Sequence, residues 1–263
     1  NQAKKITVID SIELTAESYA YAVDKGSALK ATFDTYLDEM EKDGTLGKLI
    51  DSYFDGTATF TYQNPTVTTT PKAGDSKYLV VGTNAYFPPF EYYEGVSFKG
   101  VDIEIASIFA TKLEKTLYVV DMDFDALIGA VSVSKEVDVV MAGMTVSETR
   151  LQQVDFTKEY YESAQVISVK AGDTTFDACK SAEDIEAILN EQSSSYQIGT
   201  QNGTTGYMYS AGDEDFGYDG FKNLTTKGYT TGSLAMQDLA NGKINAVILD
   251  KQPSLMIAKA MNS

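Results

Sequence analysis

The sequence contains no histidine and a single cysteine, and these absences exclude whole classes of chemistry. Without imidazole there is no Ser-His or Cys-His nucleophilic catalysis and no histidine metal site. Cys179 by itself forms neither an internal disulfide nor a thiolate metal cluster. We therefore expect no metal and no cofactor.

Long apolar runs and positive charge are also scarce. No run reaches the ~18 apolar residues of a membrane span. The formal net charge is −17, so the chain lacks the basic face that nucleic acid or an anionic membrane surface requires. The first residues do not form a signal peptide, and we expect either a cytosolic protein or a processed form.

Arginine is nearly absent, because Arg150 is the only one and every other basic residue is lysine. A guanidinium grips a carboxylate through two parallel hydrogen bonds, which a lysine ammonium cannot reproduce. The presence of one arginine among lysines therefore indicates a carboxylate-binding site at Arg150. The alternative is codon bias with an ordinary surface arginine, since exposed ion pairs are common and contribute only ~0–1 kcal/mol.

Short apolar strands alternate with amphipathic helices along most of the chain. The predicted strands are residues 5–9, 17–23, 79–83, 116–121, 137–141, 196–200 and 244–249. Alternation of this kind predicts an α/β fold with mixed, mostly parallel sheets that helices cover on both faces. In such folds ligands bind beyond the carboxyl ends of the strands, so the residues that follow each strand are the candidates.

The loop after strand 137–141 offers the richest set. Gly143 exposes its backbone carbonyl and Thr145 offers a hydroxyl. Ser147 is placed to cap a helix that carries Arg150 in its first turn.

Aromatic side chains follow two other strands. Two prolines stiffen the loop that carries Asn84, Phe87 and Phe90, and Phe124 follows strand 116–121. Phe87 and Phe124 are candidates for the walls of a pocket. The alternative is that such rings only fill the core, and for Phe90 we prefer it.

Gln201 follows strand 196–200 and leads into Thr204 and Thr205, where the N–H groups of a helix start can bind an anion. The Gly-Lys-Ser/Thr ending of a nucleotide loop is absent. Asp250 directly follows strand 244–249. The alternative is that it is an ordinary aspartate in a surface loop. Together these residues supply donors for a carboxylate and acceptors for an ammonium, which is what an α-amino acid needs when both charges are buried.

Several segments resemble, in this order, the amino-acid-binding periplasmic solute-binding proteins of ABC importers (family 3, type II fold). They are residues 83–91 (Thr-Asn-Ala-Tyr-Phe-Pro-Pro-Phe-Glu), 100–104, 123–128, 142–150, 154–157, 203–206 and 246–250. The resemblance implies a two-lobed fold with two hinge strands, whose closure buries a free amino acid. It also implies that the protein works outside the cytoplasm and delivers the amino acid to a membrane permease. We expect a monomer.

The resemblance assigns roles to the candidates. Arg150 and the Thr205 region hold the ligand carboxylate, Asp250, Thr145 and Gly143 hold its ammonium, and Phe87 and Phe124 sandwich its side chain. Members that bind basic ligands often carry an aspartate where this chain has Asn84, and no second cation is present for an acidic side chain. We therefore expect a neutral, polar amino acid.

The order of segments departs from the family, because residues 14–54 resemble the segment that normally comes last. The chain is thus predicted to be circularly permuted, by nature, as a piece of a tandem array or by engineering. The predicted lobes are 16–54 with 77–165 and 1–15 with 166–263, joined by crossovers near 12–20 and 163–170, with 55–76 as a linker.

Capture and delivery without bond chemistry is the predicted function. One alternative is a dehydratase-like enzyme on the same fold, which would need a positioned general acid. The other is the ligand-sensing domain of a receptor, which would need flanking membrane segments.

Overall fold

The structure is a computed structural model that describes residues 4–263. Residues 1–3, where the predicted second lobe begins, lie outside the described part. Strands and helices alternate along the chain, and the predicted α/β class is confirmed.

In chain order the strands are β1 (Ile6–Ile9), β2 (Glu17–Tyr19), β3 (Ala22–Asp24), β4 (Tyr78–Thr83), β5 (Tyr86–Phe87), β6 (Glu91–Glu94), β7 (Ser97–Lys99), β8 (Thr116–Asp121), β9 (Val139–Val140), β10 (Val154–Phe156), β11 (Tyr161–Ser163), β12 (Gln165–Lys170), β13 (Gln197–Gln201), β14 (Thr225–Tyr229) and β15 (Ala246–Asp250). The α-helices are α1 (Leu29–Lys42), α2 (Thr45–Phe54), α3 (Val101–Lys112), α4 (Leu127–Ser132), α5 (Glu148–Leu151), α6 (Ala182–Asn190), α7 (Thr205–Ala211), α8 (Gly232–Ala240) and α9 (Lys251–Asn262).

The chain forms two compact units. The terminal unit holds the described residues up to Glu17 together with Glu162–Ser263, and the central unit holds Ser18–Tyr161. The unit boundaries fall inside β2 and β11, which form a two-stranded sheet.

A five-stranded sheet in the order β10-β3-β9-β4-β8 forms the middle of the central unit. The strands β8 and β9 both run parallel to β4, so all three end at one edge. Along β4, Leu79 and Val81 pack into the core formed with α1 and α3, whereas Val80 packs into the core formed with α4. Helices thus cover both faces, which is why β4 is an unbroken apolar run.

Residues 55–76 were predicted to be a linker with little core of its own. The segment has no regular element, but Tyr62 pairs with Phe98 through both backbone groups. The Asn64 side chain also bonds the N–H and the carbonyl of Val119 at 2.8 and 2.7 Å. Phe60 and Tyr62 pack against the core of the central unit, so residues 55–76 are held against the surface of that unit.

The terminal unit contains a second five-stranded sheet, in the order β1-β12-β15-β13-β14. Strand β13 runs parallel to β15, and β12 runs antiparallel to it with Gln165 opposite Asp250. Ile248 of β15 packs into one core, and Val247 and Leu249 pack into the other. The carboxyl ends of β13 and β15 therefore meet the start of β12 at one edge.

The predicted strand 17–23 is instead two strands, β2 and β3, because the chain changes hydrogen-bond partners between them. The Ala20 N–H donates to Met144 O at 3.1 Å, and the Tyr21 N–H donates to Thr157 Oγ1 at 3.0 Å. Strand β14 was missed, since its sequence, Thr-Thr-Lys-Gly-Tyr, has almost no apolar signal.

The two ends of the described chain are joined in the terminal unit by one side chain. Asn262 Oδ1 accepts the N–H groups of Lys5 and Ile6 at 2.7 and 3.1 Å, and its Nδ2 donates to Ile6 O at 3.0 Å. This contact connects α9 to β1. The predicted circular permutation stays a prediction.

Asn262→Ala should lower the free energy of unfolding by about 1 kcal/mol or more, because three backbone groups of Lys5 and Ile6 lose their partner. Urea unfolding followed by circular dichroism measures the change. Lys259→Ala, on the same helix and exposed, is the matched control and should change stability far less. Equal effects of the two substitutions would show that Asn262 does not stabilise β1.

Candidate functional site

The central unit brings its predicted site residues to the edge where β4, β8 and β9 end. Asn84 directly follows β4, Phe124 lies just beyond β8, and Gly143 lies just beyond β9. Asn84 is buried, and its Nδ2 donates to Met122 O at 2.8 Å. The side-chain amide thus connects the loops after β4 and β8.

Gly143 lies against the ring of Phe87. It has φ = +53°, and a Cβ there would come within 2.9 Å of Phe87 Cε1. A side chain at this position would therefore both strain the backbone and collide with the ring. Glycine allows the predicted aromatic wall and the predicted ammonium-binding loop to be in direct contact.

Asp102 binds the loop at Gly143 through its carboxylate, and the sequence analysis did not identify it. Its carboxylate accepts the Gly143 N–H at 2.9 Å and the Tyr21 hydroxyl at 3.2 Å. It is 0% exposed, and the buried carboxyl of Glu91 lies against it. Burial raises the pKa of Asp102 to about 6. The available signal was an acidic residue in the first turn of α3, an otherwise apolar helix.

Arg150 lies in the first turn of α5, and the predicted cap is confirmed, because Ser147 Oγ accepts the Arg150 N–H at 3.3 Å. Its Nη1 donates to Thr145 O at 2.6 Å, and Cζ lies 5.5 Å from the centre of the Phe124 ring. The side chain is only 6% exposed. The guanidinium is therefore held in one orientation by a carbonyl and a ring, and it is no ordinary surface charge.

The terminal unit presents a second polar edge. Gln201 ends β13, Asp250 ends β15, and Thr204 Oγ1 donates to Gln201 O at 2.8 Å just before Thr205 begins α7. Asp250 is 3% exposed, which excludes the alternative of a surface loop. These polar groups lie at the carboxyl ends of parallel strands, which is where the sequence predicts the ligand to bind.

Gln165 is a further polar residue at this edge that sequence reasoning missed. It is 0% exposed, lies opposite Asp250 on the neighbouring strand, and its Oε1 would come within 2.7 Å of a Cβ at Gly206. Within residues 4–263, neither its side-chain amide nor the Thr205 hydroxyl has a hydrogen-bond partner. A glutamine that opens an apolar strand carries no sequence signal that separates it from an ordinary strand end.

Each unit thus collects part of the predicted set. The central unit holds Asn84, Phe87, Phe124, Gly143, Thr145 and Arg150, and the terminal unit holds Gln201, Thr204, Thr205 and Asp250. The expectation that one amino acid contacts both sets, and that hinge closure buries it, stays a prediction.

Within residues 4–263, metal-coordinating clusters and membrane-spanning helices are both absent. No three or more acidic, cysteine or histidine side chains are grouped so that they could coordinate a metal ion. Every helix in this range is too short or too polar to cross a bilayer.

Comparison with known proteins gives a family match. Residues 79–256 match the family model of the bacterial extracellular solute-binding proteins, family 3. The arginine-binding extracellular protein ArtP of Bacillus subtilis (strain 168) is 45% identical over 94 residues, which are 36% of each chain. The chain spans between 36% and 61% of the length of the first curated relatives that it matches.

Solved structures agree. An ancestral amino acid-binding protein, AncCDT-1, described as a precursor of cyclohexadienyl dehydratase, aligns with a TM-score of 0.60 and 27% identity over 71% of this chain and 75% of that one. An ancestral arginine-binding protein bound to arginine aligns with a TM-score of 0.58 and 34% identity over 70% and 74%. The expected type II periplasmic-binding fold is confirmed.

The buried carboxyl of Asp102 predicts a pH dependence of stability. Its pKa is about 6 in the folded state against 3.8 for an unperturbed aspartate, so the folded protein binds this proton more tightly. That contribution, roughly 2–3 kcal/mol, is present below about pH 4 and is lost as pH rises through about 6. Asp102→Asn resembles the protonated carboxyl and should remove the loss.

Urea unfolding of both proteins between pH 4 and pH 7 measures this difference. Asp155→Asn is the matched control, because hydrogen bonding by the Gly26 N–H lowers the pKa of Asp155 and its titration lies below this range. Its stability should therefore change with pH between 4 and 7 as that of wild type does. Parallel pH profiles of wild type and Asp102→Asn would contradict the assignment.

Proposed function

The chain belongs to the bacterial extracellular solute-binding proteins of family 3, and we propose that it captures a free α-amino acid for the membrane permease of an ABC importer. The observation that carries this proposal is Arg150. The only guanidinium of the chain is buried and oriented by Thr145 O and the Phe124 ring. A cation held this way suits a ligand carboxylate better than any solvated partner.

We assign the ligand carboxylate to Arg150 and to the Thr204–Thr205 start of α7. Its ammonium is assigned to Asp250, to the Thr145 hydroxyl and to the Gly143 carbonyl. Support comes from burial and position, since Arg150 is 6% and Asp250 is 3% exposed and both lie beyond strand ends, where open α/β sheets bind their ligands. Gln201 and Gln165 flank Asp250 and complete the polar edge of the terminal unit.

Arginine is our first candidate for the ligand. Relatives named as arginine-binding proteins recur among the curated matches, and others are named as histidine-binding proteins. The chain carries a net charge of −17, which attracts a cationic ligand over long distances. In the central unit, Asp121 places a carboxylate close to Asn84, because its Oδ1 accepts the N–H of the next residue, Ala85, at 2.9 Å. A carboxylate there favours a cationic ligand.

A neutral, polar amino acid is the second candidate, and Asn84 is the residue that favours it. A side-chain amide both donates and accepts hydrogen bonds, so it suits a neutral polar group. A carboxylate at this position would instead favour a cation. An ancestral arginine-binding protein has also been solved with glutamine bound, and it aligns with this chain at a TM-score of 0.58. Glutamine is therefore the neutral ligand to test against arginine.

An enzyme on this fold is the alternative from another class. AncCDT-1 is described as a precursor of a dehydratase, but this chain has no histidine to act as general acid or base. We propose binding without turnover, outside the cytoplasm, by a monomer. Mass spectrometry of a ligand recovered unchanged after prolonged incubation supports binding, and a dehydrated product would support the enzyme.

Arg150→Lys should weaken amino-acid binding by about 30-fold or more, equivalent to about 2 kcal/mol, because one of two charge-assisted hydrogen bonds is lost. Isothermal titration calorimetry measures the affinity, and urea unfolding without ligand checks the fold. Lys135→Ala removes an exposed charge of the same unit and should leave affinity within about twofold. Equal affinity of wild type and Arg150→Lys would overturn the assignment.

Among the twenty amino acids, arginine should raise the melting temperature most, since a ligand that binds only the folded state stabilises it by about 2.7 kcal/mol at one hundred times Kd. Agmatine, which is arginine without its carboxylate, is the matched control and should give little shift. A larger shift with glutamine would select the second candidate. A shift with agmatine equal to that with arginine would contradict the role of Arg150.

A further inference from the structure

The side-chain amide of Gln165 is buried in the terminal unit, and the fold makes no use of its hydrogen-bonding groups. Gln165 is 0% exposed, and within residues 4–263 neither its Nε2 nor its Oε1 has a hydrogen-bond partner. Buried polar groups in folded proteins are almost always paired, because an unpaired one costs stability. The fold itself therefore gives no reason for an amide at this position.

The backbone of Gln165 is held in place at the start of β12. Its N–H donates to Thr15 Oγ1 at 2.9 Å, and its carbonyl accepts the Leu14 N–H at 2.8 Å. On β15, Asp250 lies directly opposite Gln165. Opposite residues on neighbouring strands point to the same face of the sheet, with Cβ atoms about 5 Å apart. The amide therefore lies beside the Asp250 carboxylate at the polar edge.

The first turn of α7 packs against this amide. A Cβ at Gly206 would lie 2.7 Å from Gln165 Oε1 and 2.9 Å from Ile248 O, so only glycine lets the helix come this close. The preceding residue, Thr205, is 3% exposed, and its hydroxyl is also without a partner in the described part of the chain. Two unpaired polar side chains, one from β12 and one from α7, thus lie at neighbouring positions.

The hydrogen-bonding capacity of a carboxylate matches the donors available. A carboxylate accepts about four hydrogen bonds, two at each oxygen. In the proposed function the guanidinium fork of Arg150 supplies two of them, and the Thr205 hydroxyl supplies a third. The Nε2–H of Gln165, beside Thr205, is a suitable fourth donor.

The ligand ammonium is a poorer match for this amide. An ammonium group of an amino acid has three N–H donors. The proposed function already assigns them three acceptors, which are Asp250, the Thr145 hydroxyl and the Gly143 carbonyl. The unpaired donor of Gln165 is therefore available for the carboxylate.

We propose that Gln165 is a further ligand-binding residue, whose Nε2–H donates to the ligand carboxylate beside the Thr205 hydroxyl. The inference rests on the proposed function, because it adds a residue to that site. It accounts for the unused amide, since a donor kept for the ligand stabilises the complex and not the free protein.

Gln165→Met tests the proposal on the full chain, because methionine has a similar length and no hydrogen-bond donor. Isothermal titration calorimetry with arginine, and with glutamine in parallel, should show binding about tenfold weaker or more, since a hydrogen bond to a charged group is lost. Gln237→Met is the matched control, because Gln237 is exposed on α8 of the same unit. It should leave the affinity unchanged.

Urea unfolding without ligand separates binding from a role in the fold. The urea midpoint of Gln165→Met should equal or exceed that of wild type, because an apolar side chain of similar shape replaces an unpaired buried amide. A lower midpoint would show that the amide serves the fold, and it would overturn the proposal.

Agmatine, which lacks the carboxylate, locates the contact on the ligand. Its binding in ¹⁵N-HSQC titrations should differ less than about twofold between wild type and Gln165→Met. An equal loss for arginine and agmatine would place the contact elsewhere on the ligand and contradict the proposal. If wild type binds no amino acid, the proposed function itself fails. If wild type binds one and Gln165→Met binds it equally well, this inference alone is overturned.

Discussion

A buried carboxylate holds together the part of the central unit that carries the proposed ligand-binding residues. Asp102 reaches from α3 to the Gly143 N–H, while Gly143 in turn lies against the Phe87 ring. The loop that begins there continues through Thr145 to Arg150, whose guanidinium returns to Thr145 O. The position of the only arginine is therefore set by a series of contacts that begins at the buried carboxyl group of Asp102.

The two units show the same design with different residues. In each, parallel strands bring polar side chains to one edge, and the loop beyond a strand leads into a short helix, α5 in the central unit and α7 in the terminal unit. The central unit supplies a cation and aromatic rings, and the terminal unit supplies a carboxylate, amides and hydroxyls. Because these groups come from separate strands, the sheet fixes their spacing and the loops need only supply the chemistry.

Local patterns carried most of what could be predicted. Ser147 and Arg150 are three residues apart, so a capped helix turn is visible in the sequence itself. Asp102 and Gln165 were missed because they act on segments distant along the chain, at Gly143 and opposite Asp250. Periodicity does not record such contacts. The split between β2 and β3 was missed for the same reason, since it follows from a change of hydrogen-bond partners.

One consequence follows from a guanidinium that is single, buried and anchored to a ring and a carbonyl. Any dicarbonyl reagent selective for guanidino groups has one target in the whole polypeptide. The extent of its covalent adduct, read as one mass increment, therefore reports the accessibility of Arg150 alone. Protection of Arg150 from this reagent would therefore measure occupancy of the proposed amino-acid site, counted on intact molecules.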